Sequence, residues 1–242
     1  MTEEQKFLFD LNGFLIIENV LPPEQCAKLR EQIYFMTHDP EQLPPAARGV
    51  PGGELAALID HPAVLDVTHE LIGTDLRLDH GYVLWREFGE RHPVDLHHGG
   101  PMPDPFFRYH FTAGKIRSGM TRVVFELNDV GEEDGGTCFL PGSHKANFHV
   151  PAEHRVLQPG MQSPFLYRTR CPAGSLIVFS ENTAHGGPPW TNPLWPRVAV
   201  FYSYNHAGMQ FHRFPVGPEI RESLTDRQRW FLRDVWVQDF GV

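Results

Sequence analysis

The order of textures along the chain predicts an α+β fold, mainly β, with helices first, short strands after, and one closing helix. Three observations carry this. Capped, amphipathic stretches fill residues 1–75. From Leu76 onward short apolar runs alternate with turns. The 22 Pro and 22 Gly among 242 residues suit a loop-rich β architecture better than a helical bundle. Barrels and sandwiches use this length as one unit, so residues 1–242 are expected to form a single domain.

Thr2-Glu3-Glu4 starts a first helix that stops by Asn12-Gly13, and Phe14-Leu15-Ile16-Ile17 is a short buried strand. Pro22-Pro23 opens a second helix, Glu24 to about His38, with Cys26, Leu29, Ile33 and Phe35 near helical spacing. The Pro- and Gly-rich stretch from Asp39 to Gly53 reads as a loop. A third helix covers Pro62 to Ile72 and is closed by Gly73. The expected strands are Leu76–Phe88, Pro93–His97, Arg108–Thr112, Arg122–Asn128, Ser175–Phe179 and Val198–Tyr204. Thr225 caps a last helix running to Val237, with Trp230, Leu232, Val235 and Trp236 on its apolar side.

Composition narrows the function. A hydrophobic fraction of 41% with 18 Phe, 5 Trp and 6 Tyr supplies a packed core and excludes a wholly disordered chain. Twenty-one basic against 30 acidic residues give a net charge of −9, a poor match to nucleic acid. Three cysteines (Cys26, Cys138 and Cys171) form no CxxC and leave one over, which fits a reducing cytoplasm. No apolar run approaches the ~20 residues of a membrane helix, and Met1 is followed by a polar stretch, so a soluble intracellular protein is expected. Fourteen His is the unusual count, because imidazole is the commonest transition-metal ligand.

Three clusters carry chemistry. Asp95-Leu96-His97-His98-Gly99-Gly100 ends an expected strand, where alternation lets at most one of the adjacent histidines face an interior. Ser180 to Gly187 follows an apolar strand and holds His185, with Gly186 and Gly187 permitting close approach. Arg197 enters another apolar strand, where a buried guanidinium needs an anionic partner. The bland alternatives are a surface His pair, a turn histidine and an exposed strand-edge charge.

The acidic-Gly turn from Asp129 to Gly136 leading into Pro141-Gly142-Ser143-His144 resembles the phytanoyl-CoA dioxygenase-like family of iron(II)/2-oxoglutarate oxygenases. The opening from Asn12 to Leu21, the Gly174–Phe179 strand with its His-Gly, and the later Arg197 also resemble that family, so the likeness runs from about residue 6 to 206. The resemblance implies a double-stranded β-helix, or jelly roll, with a largely helical 1–75 part packed on it. It implies Fe(II) held by His97 and His185, with His98 as the register alternative to His97, and 2-oxoglutarate held by Arg197. Tyr109 is placed to bond 2-oxoglutarate, and His144 is not a metal ligand. Trp85, Phe125, Trp190 and Tyr202 are candidates for a substrate wall, with core packing the alternative for each. The segments Asp39–Gly53 and His149–Gln162 are long enough to act as lids.

One departure matters. Gly99 stands where the family carries its carboxylate. Three completions are open: a gap filled by water or chloride, as in radical halogenases; a carboxylate from elsewhere, Asp95, Asp104 and Glu181 being nearest in sequence; or a degenerate, metal-free site. The expected activity is oxidation of a small-molecule C–H bond with O2, by hydroxylation or halogenation. A non-catalytic jelly-roll binding protein and a cupin-type metalloenzyme are the rivals.

Overall fold

The computed structural model describes residues 1–90, 94–104, 107–158 and 162–235. Helix α1 (Glu3–Asn12) opens on a reciprocal cap. The Thr2 hydroxyl accepts from the Gln5 amide, and the Gln5 side chain accepts from the Thr2 amide. Gly13, at φ 84°, turns the chain into β1 (Phe14–Ile17). Helices α2 (Pro23–His38) and α3 (Pro62–Leu71) follow.

The strands are β2 (Leu76–Arg86), β3 (Val94–His97), β4 (His110–Thr112), β5 (Lys115–Arg117), β6 (Thr121–Glu126), β7 (Cys138–Phe139), β8 (Tyr167–Arg168), β9 (Ser175–Ser180), β10 (His185–Gly187) and β11 (Arg197–His206). They form an antiparallel five-stranded sheet, ordered β1-β9-β6-β11-β2, and a four-stranded sheet, ordered β3-β10-β7-β8; β4 and β5 make a small hairpin. The fold is therefore mixed, mainly β, as its sequence predicts.

The pleat sorts the large sheet's side chains by parity. Val123 and Phe125 of β6, Leu176 and Val178 of β9, and Val198, Val200, Tyr202 and Tyr204 of β11 pack with the helices in one core. Val124, Ile177, Phe179, Ala199 and Phe201 turn the other way and pack with Phe14, Phe139 and Trp190 in a second core. Central strands are thus buried on both faces, which is why they read as apolar runs.

Parity also corrects part of the expected substrate wall. Tyr202 and Phe125 face the helices, and the Tyr202 hydroxyl donates to the Leu55 carbonyl. Trp85 packs on Tyr34 and His38 of α2 and donates to Glu87. Trp190 is buried in the second core, its indole N–H donating to the Trp195 carbonyl.

The segment read as a lid from Asp39 to Gly53 is pinned. The buried Gln32 amide donates to the Ala47 and Gly52 carbonyls, 2.9 Å each, and its oxygen accepts from the Glu54 amide at 2.7 Å. In the His149–Gln162 segment, the Arg155 carbonyl accepts from the Leu96 amide, and Asp95 accepts from the Leu157 amide. Residues 159–161 of that segment, like Pro93 of the expected third strand, lie outside the described residues.

The closing region holds α4 (Pro218–Ser223) and α5 (Asp226–Phe231). Thr225 caps α5 as expected, but the helix stops at Phe231 instead of running to Val237. Phe231 and Leu232 are already committed to the helix-side core, and Arg233 is tied to Asp75 and the Leu76 carbonyl, which draws the chain off the helix axis. Trp236 and Val237 lie outside the described residues. All three cysteines are free and buried, and no described helix is long and apolar enough to cross a membrane.

Candidate metal centre

Two neighbouring strands of the small sheet, the edge strand β3 and the interior strand β10, meet at the site. His97 on β3 lies directly opposite His185 on β10, and their ring centroids are 4.1 Å apart. Each ring is oriented by a backbone carbonyl at Nδ1, Asp95 at 3.2 Å for His97 and Thr183 at 2.7 Å for His185. With the Nδ1–H donating there, each Nε2 lone pair is left for a metal. Burial pushes the His185 imidazolium down to about 3, against the pull of Glu181, and burial lowers His97 as well. Both rings are therefore neutral near pH 7, the form that ligates.

A carboxylate stands beside these rings, that of Glu181, four residues before His185 in the turn between β9 and β10. Its Oε1 lies 3.9 Å from His185 Nε2 and 3.5 Å from His98 Nε2. The donor atoms of His97, His98 and Glu181 all lie within 4.8 Å of one another. Burial by itself would raise the Glu181 carboxyl, but the Arg122 guanidinium beside it and the hydrogen bond from His98 hold it well below the usual carboxylate range. Arg122 grips both oxygens, Nε to Oε2 at 3.1 Å and Nη2 to Oε1 at 3.3 Å, and reaches the Tyr82 hydroxyl at 3.2 Å. Neutral imidazoles and an ionised carboxylate around one point fit a divalent first-row metal of the two-His, one-carboxylate kind.

Strand alternation predicted that only one of His97 and His98 faces inward. The structure brings both to the site, because β3 ends at His97 and His98 adopts the left-handed region at φ 61°. Gly99 follows at φ 76°. A Cβ on Gly99 would stand 2.7 Å from the Ala184 Cβ and 2.9 Å from Val150 Cγ2. The position faces a packed wall, so a side chain on this backbone would have to displace Ala184 or Val150.

A cavity of about 170 Å³ lies between the sheets below these donors, with Phe179, Phe201 and Leu84 on its apolar side and Arg86, Arg122 and Arg197 on its charged side. Arg197 reaches it from β11 but is already paired. Its Nε donates to Glu126 Oε2 at 3.3 Å, and its Nη2 bonds Glu126 Oε1 and the Thr137 hydroxyl. Arg86 is the cross-strand neighbour of Arg197; it donates to the Pro188 carbonyl at 3.2 Å and has no carboxylate partner among the described residues. Burial lowers Arg86, and the Arg197 charge adds to this, against the pull of Glu90, Tyr82 and Glu126. Clefts of about 420 and 430 Å³ elsewhere on the surface are roomier, but neither contains His97, His98, Glu181 or His185.

Tyr109 is not at this cavity. Its hydroxyl donates to Asp10 and its ring packs edge-on against His144, so the expected 2-oxoglutarate bond is corrected. His144 is buried with Nε2 3.0 Å from the Asp10 carbonyl, away from the donors. The sequence reading missed Arg122, Arg86 and Tyr82, and named Glu181 only as a near neighbour without the expected spacing. The available signal was the four-residue interval from Glu181 to His185 across a tight turn.

A family model for phytanoyl-CoA dioxygenase (PhyH) matches residues 9–198. The chain belongs to this family. Among curated relatives, the ectoine dioxygenase of Bordetella bronchiseptica is 22% identical over 244 residues, covering 85% of this chain and 75% of that protein. Among solved structures, HygX from Streptomyces hygroscopicus with nickel and 2-oxoglutarate bound superposes with a TM-score of 0.76 at 22% identity, covering 93% of this chain and 95% of that one. The non-heme monooxygenase ThoJ in its nickel complex gives 0.60 at 17% identity, over 83% and 76% of the two chains. These likenesses establish that the PhyH member shares their fold.

Proposed function

We propose that this PhyH-family protein is an Fe(II)- and 2-oxoglutarate-dependent oxygenase that oxidises a C–H bond of a small molecule, with His97, Glu181 and His185 as the metal ligands. The observation that carries this reading is that His97 faces His185 at 4.1 Å between ring centroids while the ionised Glu181 carboxylate stands 3.9 Å from His185 Nε2, beside an arginine-lined cavity. We read the two sheets as one jelly roll and the chain as one domain. The structures of HygX with 2-oxoglutarate bound and with iron bound support the same cofactor pair. The three free cysteines fit a reducing compartment such as the cytoplasm.

Bound iron, with 2-oxoglutarate and O2, supplies C–H oxidation coupled to release of succinate and CO2. The chain's residues supply position. The Asp95 and Thr183 carbonyls fix the two rings, and Arg122 fixes Glu181. Arg86, with the Arg197 guanidinium beside it, would seat the remote carboxylate of the dicarboxylate co-substrate. Phe179, Phe201 and Leu84 keep water from the floor of the cavity. Because Glu181 provides the anionic donor, hydroxylation is favoured over halogenation, and chloride has no assigned position.

The test is anaerobic addition of Fe(II) and 2-oxoglutarate to the full chain, followed by the visible metal-to-ligand charge-transfer band, with and without chloride. A band indifferent to chloride, with succinate formed on admitting O2, is the expected result. No band with both reagents present would refute the oxygenase reading, and a chloride-dependent shift would restore the halide site.

A further inference from the structure

His98 gathers with His97 and Glu181 within 4.8 Å, so a ligand set of His97, Glu181 and His185 leaves it over. It follows the last residue of β3, and continued alternation would send its side chain to the opposite face from His97. Its left-handed backbone, φ 61°, folds the ring back instead, so that Nε2 stands 3.5 Å from Glu181 Oε1 and the three donors of His97, His98 and Glu181 gather within 4.8 Å. A non-Gly residue holds that conformation at a cost, and such strain collects where a side chain is being aimed.

We infer that His98 is a fourth protein donor to the metal, and that it leaves when the co-substrate binds. This inference rests on the oxygenase reading. An iron site of this class has six positions. Four protein donors and a chelating 2-oxoacid fill all six and leave none open, so one donor has to withdraw. The other three are held from behind: His97 and His185 by backbone carbonyls, Glu181 by Arg122. His98 has no such tether among the described residues. Its side chain is 27% exposed, and its ring stacks on both His185, at 5.7 Å and 23°, and the buried Phe107, at 5.9 Å and 22°. The solvent-exposed part of the ring is the side toward which it would withdraw. The device holds the metal by four protein donors until the co-substrate arrives, and opens a position only when the 2-oxoacid has replaced His98.

The experiment loads the full chain with Co(II) and counts coordinated imidazoles by X-ray absorption, before and after 2-oxoglutarate. His98→Gly and His98→Asn are compared, since both residues tolerate a left-handed backbone and neither reaches the donors. The wild type should show three imidazoles falling to two on adding 2-oxoglutarate, and the variants two throughout. The variants should bind Co(II) more weakly and 2-oxoglutarate about tenfold more tightly, because no donor has to be displaced first. Two imidazoles in the wild type from the start, with 2-oxoglutarate still binding, overturns the inference and leaves the oxygenase reading intact. Absence of 2-oxoglutarate binding to the Co(II)-loaded protein overturns the oxygenase reading and the displacement with it.

Discussion

Replacing Glu181 by glutamine keeps the size of the side chain and one carbonyl-type oxygen while removing the charge that Arg122 faces. The pair is buried, with 12% of the Arg122 side chain and 5% of the Glu181 side chain exposed. Removing one partner of a buried pair costs about 3–5 kcal/mol. Here the amide oxygen still accepts one N–H, and the Tyr82 hydroxyl still meets Arg122 at 3.2 Å, so the expected loss is nearer ~2–3 kcal/mol. For a chain of this length that is a fall in Tm of about 4–12 °C. The comparison belongs in metal-free protein, because metal bound by the wild type alone widens the gap. At a hundred times Kd that adds about 2.7 kcal/mol.

The pH dependence has a definite sign. The Glu181 carboxyl is depressed in the folded chain, so its contribution is complete above the ordinary value of 4.5 and is lost as pH falls toward the lower folded value. Thermal melts of wild type and Glu181→Gln should therefore run parallel from pH 6 to 8 and converge in acid. Equal Tm values at neutral pH, or equal affinity for Ni(II) in calorimetric titration, would refute both the ion pair and the metal-ligand role.

Gly99→Asp should not strengthen metal binding. A left-handed backbone at about 1–2 kcal/mol and overpacking against Ala184 and Val150 at ~1–3 kcal/mol should appear as a lower urea midpoint, with no gain in Ni(II) affinity. Arg197→Ala should destabilise by about 3–5 kcal/mol, because it strands the buried Glu126. Arg197→Met combined with Glu126→Leu should recover most of that stability without recovering 2-oxoglutarate affinity, and calorimetry separates the two. Tyr109→Phe removes a hydroxyl that donates to Asp10; it should cost about 1–2 kcal/mol in denaturant melts and leave the Kd for 2-oxoglutarate unchanged.

Local rules were enough to read the helices' ends and the apolar strands, because caps and the period of apolar residues act within a few residues. Thr2, Gly13 and Thr225 terminate helices where their chemistry demands it. His97 and His185 were legible as a facing pair from the family pattern. What the sequence did not carry was parity in three dimensions. Tyr202 and Trp85 look equivalent to cavity residues until strand register assigns them to the helix face. Glu181 was hidden for a related reason. The family's carboxylate is expected two residues after its histidine on the same strand, whereas Glu181 stands in another turn, and only the fold brings it beside His98 and His185 and against Arg122. The break in alternation at His98 is a backbone event that residue type alone does not announce.

Glu181 and His185 share one short turn, while His97 reaches them from β3, a strand at the edge of the small sheet. This division sets an order of assembly. Closing a four-residue interval costs little chain entropy, so half of the donor set exists as soon as β9 and β10 form. The distant strand has to pair across an intervening stretch of chain that holds β4 to β9, which is slow by topology. Metal added during refolding should therefore capture the half-site first and recruit β3 last. In metal-free protein, the amides of Val94 to His97 should be the earliest near the centre to exchange with solvent, while those of Ser175 to Ser180 remain protected.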